Sequence, residues 1–134
     1  MPTLARWYIK TSFVWLALAL LLGVASAIAP ASWPSAAFAP VQVHTFVVGW
    51  ITQLIFGVVY WMFPKASAKH PRGSDGLAAA TYVLLNAGLA ARGVGEPMAA
   101  LGGAGAPWLM ASALMQWLAG LGFVLNTWPR VKGV

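Results

Sequence analysis

Four apolar runs, each near the ~20 residues that an α-helix needs to cross a hydrocarbon core, constrain this chain more than any other feature. They cover about residues 7–29, 38–63, 76–91 and 107–128, and the third is the shortest and weakest. Breakers separate them: Pro30 and Pro34 after the first, Pro64-Lys65 after the second, Pro129 after the fourth. Only 7% of the 134 residues are charged and 60% are hydrophobic, against roughly 25% charged in a soluble domain. Ten charged side chains cannot cover the surface of such a domain, so lipid must be the solvent for most of it. In lipid, a helix satisfies its own backbone polar groups. The pattern predicts one transmembrane domain over residues 1–134, all-α, built as a membrane four-helix up-down bundle.

The first run has a competing reading. Arg6 and Lys10 precede an apolar stretch ending Val24-Ala25-Ser26-Ala27, which has the small-residue spacing of a signal-peptidase site. The stretch is longer than a typical signal core, so a retained helix is expected.

Cations cluster beside the spans rather than on one polar face. Arg6, Lys10, Lys65, Lys69, Arg72, Arg130 and Lys132 fall on one side, and only Arg92, read as a loop residue between spans three and four, falls on the other. A seven-to-one bias of this kind puts both termini in the cytoplasm. The expected location is a prokaryotic cytoplasmic membrane, with the second span running from outside to inside. Nucleic-acid binding needs a clustered basic patch, which is lacking here, so no nucleic-acid partner is expected. The loop from Lys65 to Gly76 reads as a solvated turn resting on anionic headgroups, with Ser74 or Asp75 as the N-cap of span three. Trp7, Trp33, Trp61, Trp108 and Trp128 fall near span ends, where amphipathic rings favour the headgroup zone. Trp15, Trp50 and Trp117 lie deeper, as packing residues or walls of a cofactor site.

Several chemistries are excluded. There are no cysteines, hence no disulfide, thiolate metal site or thiol catalysis. No carboxylate falls within the predicted spans, which disfavours a carboxylate proton relay. No His/Asp/Glu cluster is spaced for a hydrolytic zinc. The chain is therefore not expected to be an enzyme alone, and a cofactor must bring any chemistry.

His44 is the candidate site. It lies roughly four to six residues inside the second span, about 6–9 Å deep, where an ionisable group is a functional-site hypothesis by default. A neutral imidazole keeps one lone pair for a metal or haem iron, while its other nitrogen can donate to a carbonyl. A histidine bonded between helices is the plainer alternative. His70, in the basic loop, reads as solvated. Gly49 and Gly57, with Gln53 between them, line one stripe of the second span, suiting close helix approach or leaving room for a flat macrocycle. Gln53, Asn86, Gln116 and Asn126 are expected to bond between helices. Met110 should reach the depth of His44 on the fourth span, and a His/Met pair is a known haem ligation.

The stretch His44 to Pro64 resembles the second transmembrane helix of subunit I of haem-copper oxidases and nitric oxide reductases. The likeness rests on the early His44, then Val48-Gly49-Trp50, Phe56-Gly57 and the aromatic end Tyr60-Trp61-Met62-Phe63-Pro64. Tyr8-Ile9-Lys10 leading into Leu20-Leu21-Leu22-Gly23 is similar to that family's first helix. About the first 65 residues share the likeness, and the remainder shares only hydropathy. The resemblance implies that His44 is an axial ligand of a low-spin haem b, with Gly49, Trp50 and Met110 as further candidates for the cofactor site. The family's later helices, which hold its copper, its high-spin haem and the second low-spin ligand, have no counterpart here. Reduction of oxygen or nitric oxide by this chain is not implied. The expected function is a small membrane b-type haem protein in electron transfer or gas sensing, as a homo-oligomer in which His44 from two protomers could share one haem. The alternative is a structural or assembly subunit of a larger membrane complex without its own cofactor. A small transporter or channel fits less well, because broken-helix pairs are missing.

Overall fold

The computed structural model describes residues 1–30, 32–68 and 70–131. Lys69 and Lys132, two of the cations in the topology argument, lie outside these residues. Helix α1 covers Thr3–Ile28. The second span, Ser35–Met62, is continuous but has three parts: α2 (Ser35–His44), a π-helical segment (Thr45–Thr52) and α3 (Gln53–Met62). Helix α4 covers Asp75–Ala100, and α5 (Ala106–Thr127) runs into a 3-10 turn, Trp128–Arg130. All four spans are long and apolar enough to cross a membrane. The described chain is thus an all-helical protein of the membrane type, as its apolar runs require.

The spans alternate in direction. Tyr8 near the start of α1 meets Ala78 near the start of α4, while Tyr60 at the end of α3 meets Asp75. Arg130 after α5 reaches Phe63 and Pro64 after α3. These residues gather at one end of the bundle, together with Lys10 and Arg72; this is the basic end. The turns that follow α1 and α4 lie at the opposite end.

Small residues set the helix spacing, as expected where lipid gives no hydrophobic drive between helices. A Cβ on Gly49 would stand 2.7 Å from Cγ of Trp15, and one on Gly57 would stand 2.6 Å from Cβ of Tyr8. Gly88 and Gly95 of α4 receive Gln116 and Trp108 of α5 in the same way, and Gly122 of α5 receives Thr81. Between α1 and α4 hydrogen bonds join the aromatic packing of Trp7 and Tyr8 on Tyr82. The Tyr8 hydroxyl donates to the Ala78 carbonyl (2.8 Å), the hydroxyls of Thr11 and Tyr82 share a hydrogen bond (2.7 Å), and the Trp15 indole donates to Asn86 (2.7 Å). The second span meets α5 through stacked Phe56 and Phe123.

The third span differs from the sequence expectation. Gly93, Gly95 and Pro97 suggest an end near residue 91, yet α4 continues to Ala100. Arg92 is therefore a helical residue, not a loop cation, and Glu96 is a carboxylate within a span. Both are tolerated because they pair one turn apart, Nη1 to Oε1 at 2.7 Å. Ser74 is the N-cap of α4, its hydroxyl accepting from the Leu77 amide, as its position before Asp75 suggests. Trp117 corrects a second expectation: it is 63% exposed on α5 and walls no internal site.

Candidate functional site

The local structure around His44 begins with Pro40, inside α2. Proline has no N–H to donate, so the helix ladder is already weakened there. From Thr45 the backbone widens to the π form. Burial explains what the widening achieves. Val41, Thr45, Gly49 and Gln53 are all buried, at a spacing of four. On a straight α-helix each such step drifts by about 40°, so the four would spiral away from one face. The i→i+5 winding, at about 4.4 residues per turn, drifts about 33° per step in the opposite sense, so the α and π parts partly cancel and the four stay close to one face against α1.

At the change of winding, side chains take up backbone carbonyls. Nδ1 of His44 lies 2.8 Å from the Pro40 carbonyl oxygen. A carbonyl only accepts, so Nδ1 carries a proton, and in the neutral ring Nε2 is then the nitrogen with the free lone pair. The Thr45 hydroxyl lies 2.9 Å from both the Val41 and the Gln42 carbonyl oxygens. Thr52 donates to the Val47 carbonyl (3.0 Å) at the far end of the segment. His44 is half-buried, on the flank of the span it shares with Val48, which packs on the core of Tyr8, Phe56, Leu85 and Ala119. Trp15 touches Gly49 and bonds Asn86, so these three mark one level in the bundle. His44 stands roughly 7 Å beyond it, towards the end opposite the basic one.

The other candidates fall elsewhere. Gly49 is closed by Trp15, so its missing side chain serves the approach of α1 and leaves no room for a macrocycle. Trp50 is half-buried, edge-on to Phe46 at 4.9 Å, and its indole N–H is buried without a hydrogen-bond partner. Met110 is 74% exposed on α5, a helix packed mainly on α4, so equal depth does not bring its thioether to His44. His70 is exposed in the basic loop and borders an open hollow with Gly73, Ser74 and Asp75. A groove of about 440 Å³ between α1 and the second span runs past Ala19, Leu20, Gln42, Val43, Phe46 and Val47, next to His44 along the chain. Among the described residues no three His, Asp or Glu side chains converge to hold a metal ion. An axial haem ligand needs no such cluster.

A polar network in the half of the bundle away from the basic end was not foreseen. Arg92 Nε donates to the Ser112 hydroxyl (3.3 Å), Ser112 donates to the Gly88 carbonyl (2.7 Å), and Gln116 donates to Ser112 (2.9 Å). Its sequence signal is the i,i+4 spacing of Arg92 with Glu96 and of Ser112 with Gln116. The intramembrane amides divide their roles. Gln53 bonds the Tyr8 carbonyl of α1 (3.3 Å), whereas Asn126 pins the basic loop, accepting from the Ser74 amide and donating to the Arg72 carbonyl.

Comparison with protein-family models, with curated proteins and with solved structures finds no match to this chain. Nothing in these comparisons links the chain to haem-copper oxidase subunits.

Proposed function

We propose that this chain is a small b-type haem protein of the membrane, with Nε2 of His44 as an axial ligand, working in electron transfer or gas sensing. The observation that carries this reading is the 2.8 Å bond from Nδ1 to the Pro40 carbonyl, which in the neutral ring assigns the free lone pair to Nε2 and holds the ring in place. The donor set fits one axial bond per protomer. A haem held there would supply a one-electron couple or an iron that binds a small gas. The chain's own part is to hold the imidazole and to orient its ring through the Pro40 carbonyl. With Met110 turned outward, a second ligand to such a haem would have to come from His44 of another protomer in a symmetric homo-oligomer, or the protein would supply one ligand only. The bias of cations to the basic end supports N-in/C-in insertion.

A reduced-minus-oxidised spectrum of the purified protein tests the reading. The expected result is a Soret band that His44→Ala abolishes and His70→Ala retains. A colourless protein after expression with ample haem supply would overturn it. The second reading, an assembly subunit without a cofactor, draws on Gly93 and Gly120, which face open space and leave flats where a partner helix can lie. It predicts co-purifying partners and no absorbance of its own.

A further inference from the structure

Helices α3 and α5 stack through Phe56 and Phe123 and then part towards the basic end. The cleft that opens has a volume of about 310 Å³ and a wholly apolar lining, with Ile55, Val59 and Phe63 on one wall and Val124, Trp128 and Val131 on the other. An apolar cleft that faces lipid is filled by an acyl chain. What makes this one selective is the charge at its mouth.

Arg130 is 1% exposed and donates to the carbonyls of Pro64 (3.1 Å) and Phe63 (2.8 Å). Its guanidinium stands over the Phe63 ring, 6.0 Å from the centroid, so charge and cleft share a residue. Nη1 is buried without a hydrogen-bond partner. No carboxylate pairs with Arg130 among the described residues: the ion pair found there is Arg92–Glu96, at the other end of α4, and the carboxylate of Asp75 is taken by the Tyr60 hydroxyl. Arg72 lies within electrostatic reach of Arg130, and the Asn126 side chain holds the Arg72 backbone against the end of α5. Two guanidinium groups thus lie within electrostatic reach of each other with no carboxylate paired to Arg130 among the described residues. A buried charge of this kind is costly, and a nearby anion offsets it.

We propose that the basic end of the bundle binds an anionic phospholipid, one acyl chain lying in the cleft between α3 and α5 and the phosphate resting on Arg72 beside Arg130. Trp128, 74% exposed, sits at the headgroup level of that lipid. The reading is independent of haem binding and of which way the protein is inserted.

The test is quenching of tryptophan fluorescence in the full-length protein, in neutral detergent, by phospholipids brominated on their acyl chains. Brominated phosphatidylglycerol should quench at a half-saturating concentration about fivefold below that of brominated phosphatidylcholine, the effect of one near-surface cation. Trp128→Phe should remove that selective component. Arg72→Gln should bring the two lipids together; it is preferred to Arg130→Gln because Arg72 supports the fold through its backbone carbonyl, while Arg130 staples two elements. Free glycerol phosphate should not displace the lipid. Equal half-saturation for the two lipids, a preference that survives both substitutions, or displacement by glycerol phosphate would each overturn the proposal.

Discussion

Tyr60, in the last turn of α3, donates a 2.6 Å hydrogen bond to the carboxylate of Asp75, the first residue of α4. The bond ties the end of one span to the start of the next across the basic loop. The carboxylate also faces the positive end of the α4 dipole, so it stays favourable without the phenol. Tyr60→Phe should therefore lower stability by only about 1 kcal/mol, read as a shift in the thermal midpoint in detergent. A loss several times larger would mean that Tyr60 supports more than this contact.

Two glycines should respond in opposite directions. Gly49 faces Trp15 at a distance no Cβ can accept, and Trp15 is itself held by Asn86, so Gly49→Ala should cost about 1–3 kcal/mol through overpacking. Gly120 faces open space, so Gly120→Ala should be neutral or stabilise by up to about 1 kcal/mol through helix propensity. Thermal midpoints of the two variants settle the comparison, unless Gly120 is covered by a partner, in which case its alanine variant would lose that partner.

Removing one member of the Arg92–Glu96 pair strands the other in a site where both side chains are less than a fifth exposed. Glu96→Gln should destabilise by about 1–2 kcal/mol, between the values for exposed and fully buried pairs. The double replacement Arg92→Met with Glu96→Leu should recover most of that loss. If the double variant is as unstable as the sum of its parts, the pair is not acting as a unit.

Gln53 is fully buried, yet it makes one long bond and its carbonyl oxygen has no partner. Gln53→Met keeps the shape and removes both the bond and the unsatisfied atom, so its stability should stay within about 1 kcal/mol of the parent. A large loss in the same melting assay would point to a partner for that oxygen.

The spans were legible because length and hydropathy report directly on a bilayer. The end of α4 was not, since Arg92 and Glu96 interrupt the apolar run while Gly95 and Pro97 are helix breakers when read singly. They persist because Arg92 and Glu96 satisfy each other and Gly95 receives Trp108 and Leu109. His44 stood out as a polar residue in an apolar run. Its bond to Pro40 did not, because it depends on where a carbonyl points at a change of helical winding. The outward turn of Met110 and Trp117 was also hidden: lipid and core are both apolar, so the sequence carries little contrast between the two faces of a span.

The π-helical segment has a practical consequence for scanning experiments on the second span. Eight residues wound at about 4.4 per turn rotate the chain by roughly 140° less than the same residues in an α-helix. A helical wheel drawn upward from Tyr60 would put His44 on nearly the opposite side of the span. Cross-linking or spin-label positions for this half of the helix are better counted from Pro40, where the ladder is still α-helical and the imidazole is one turn away.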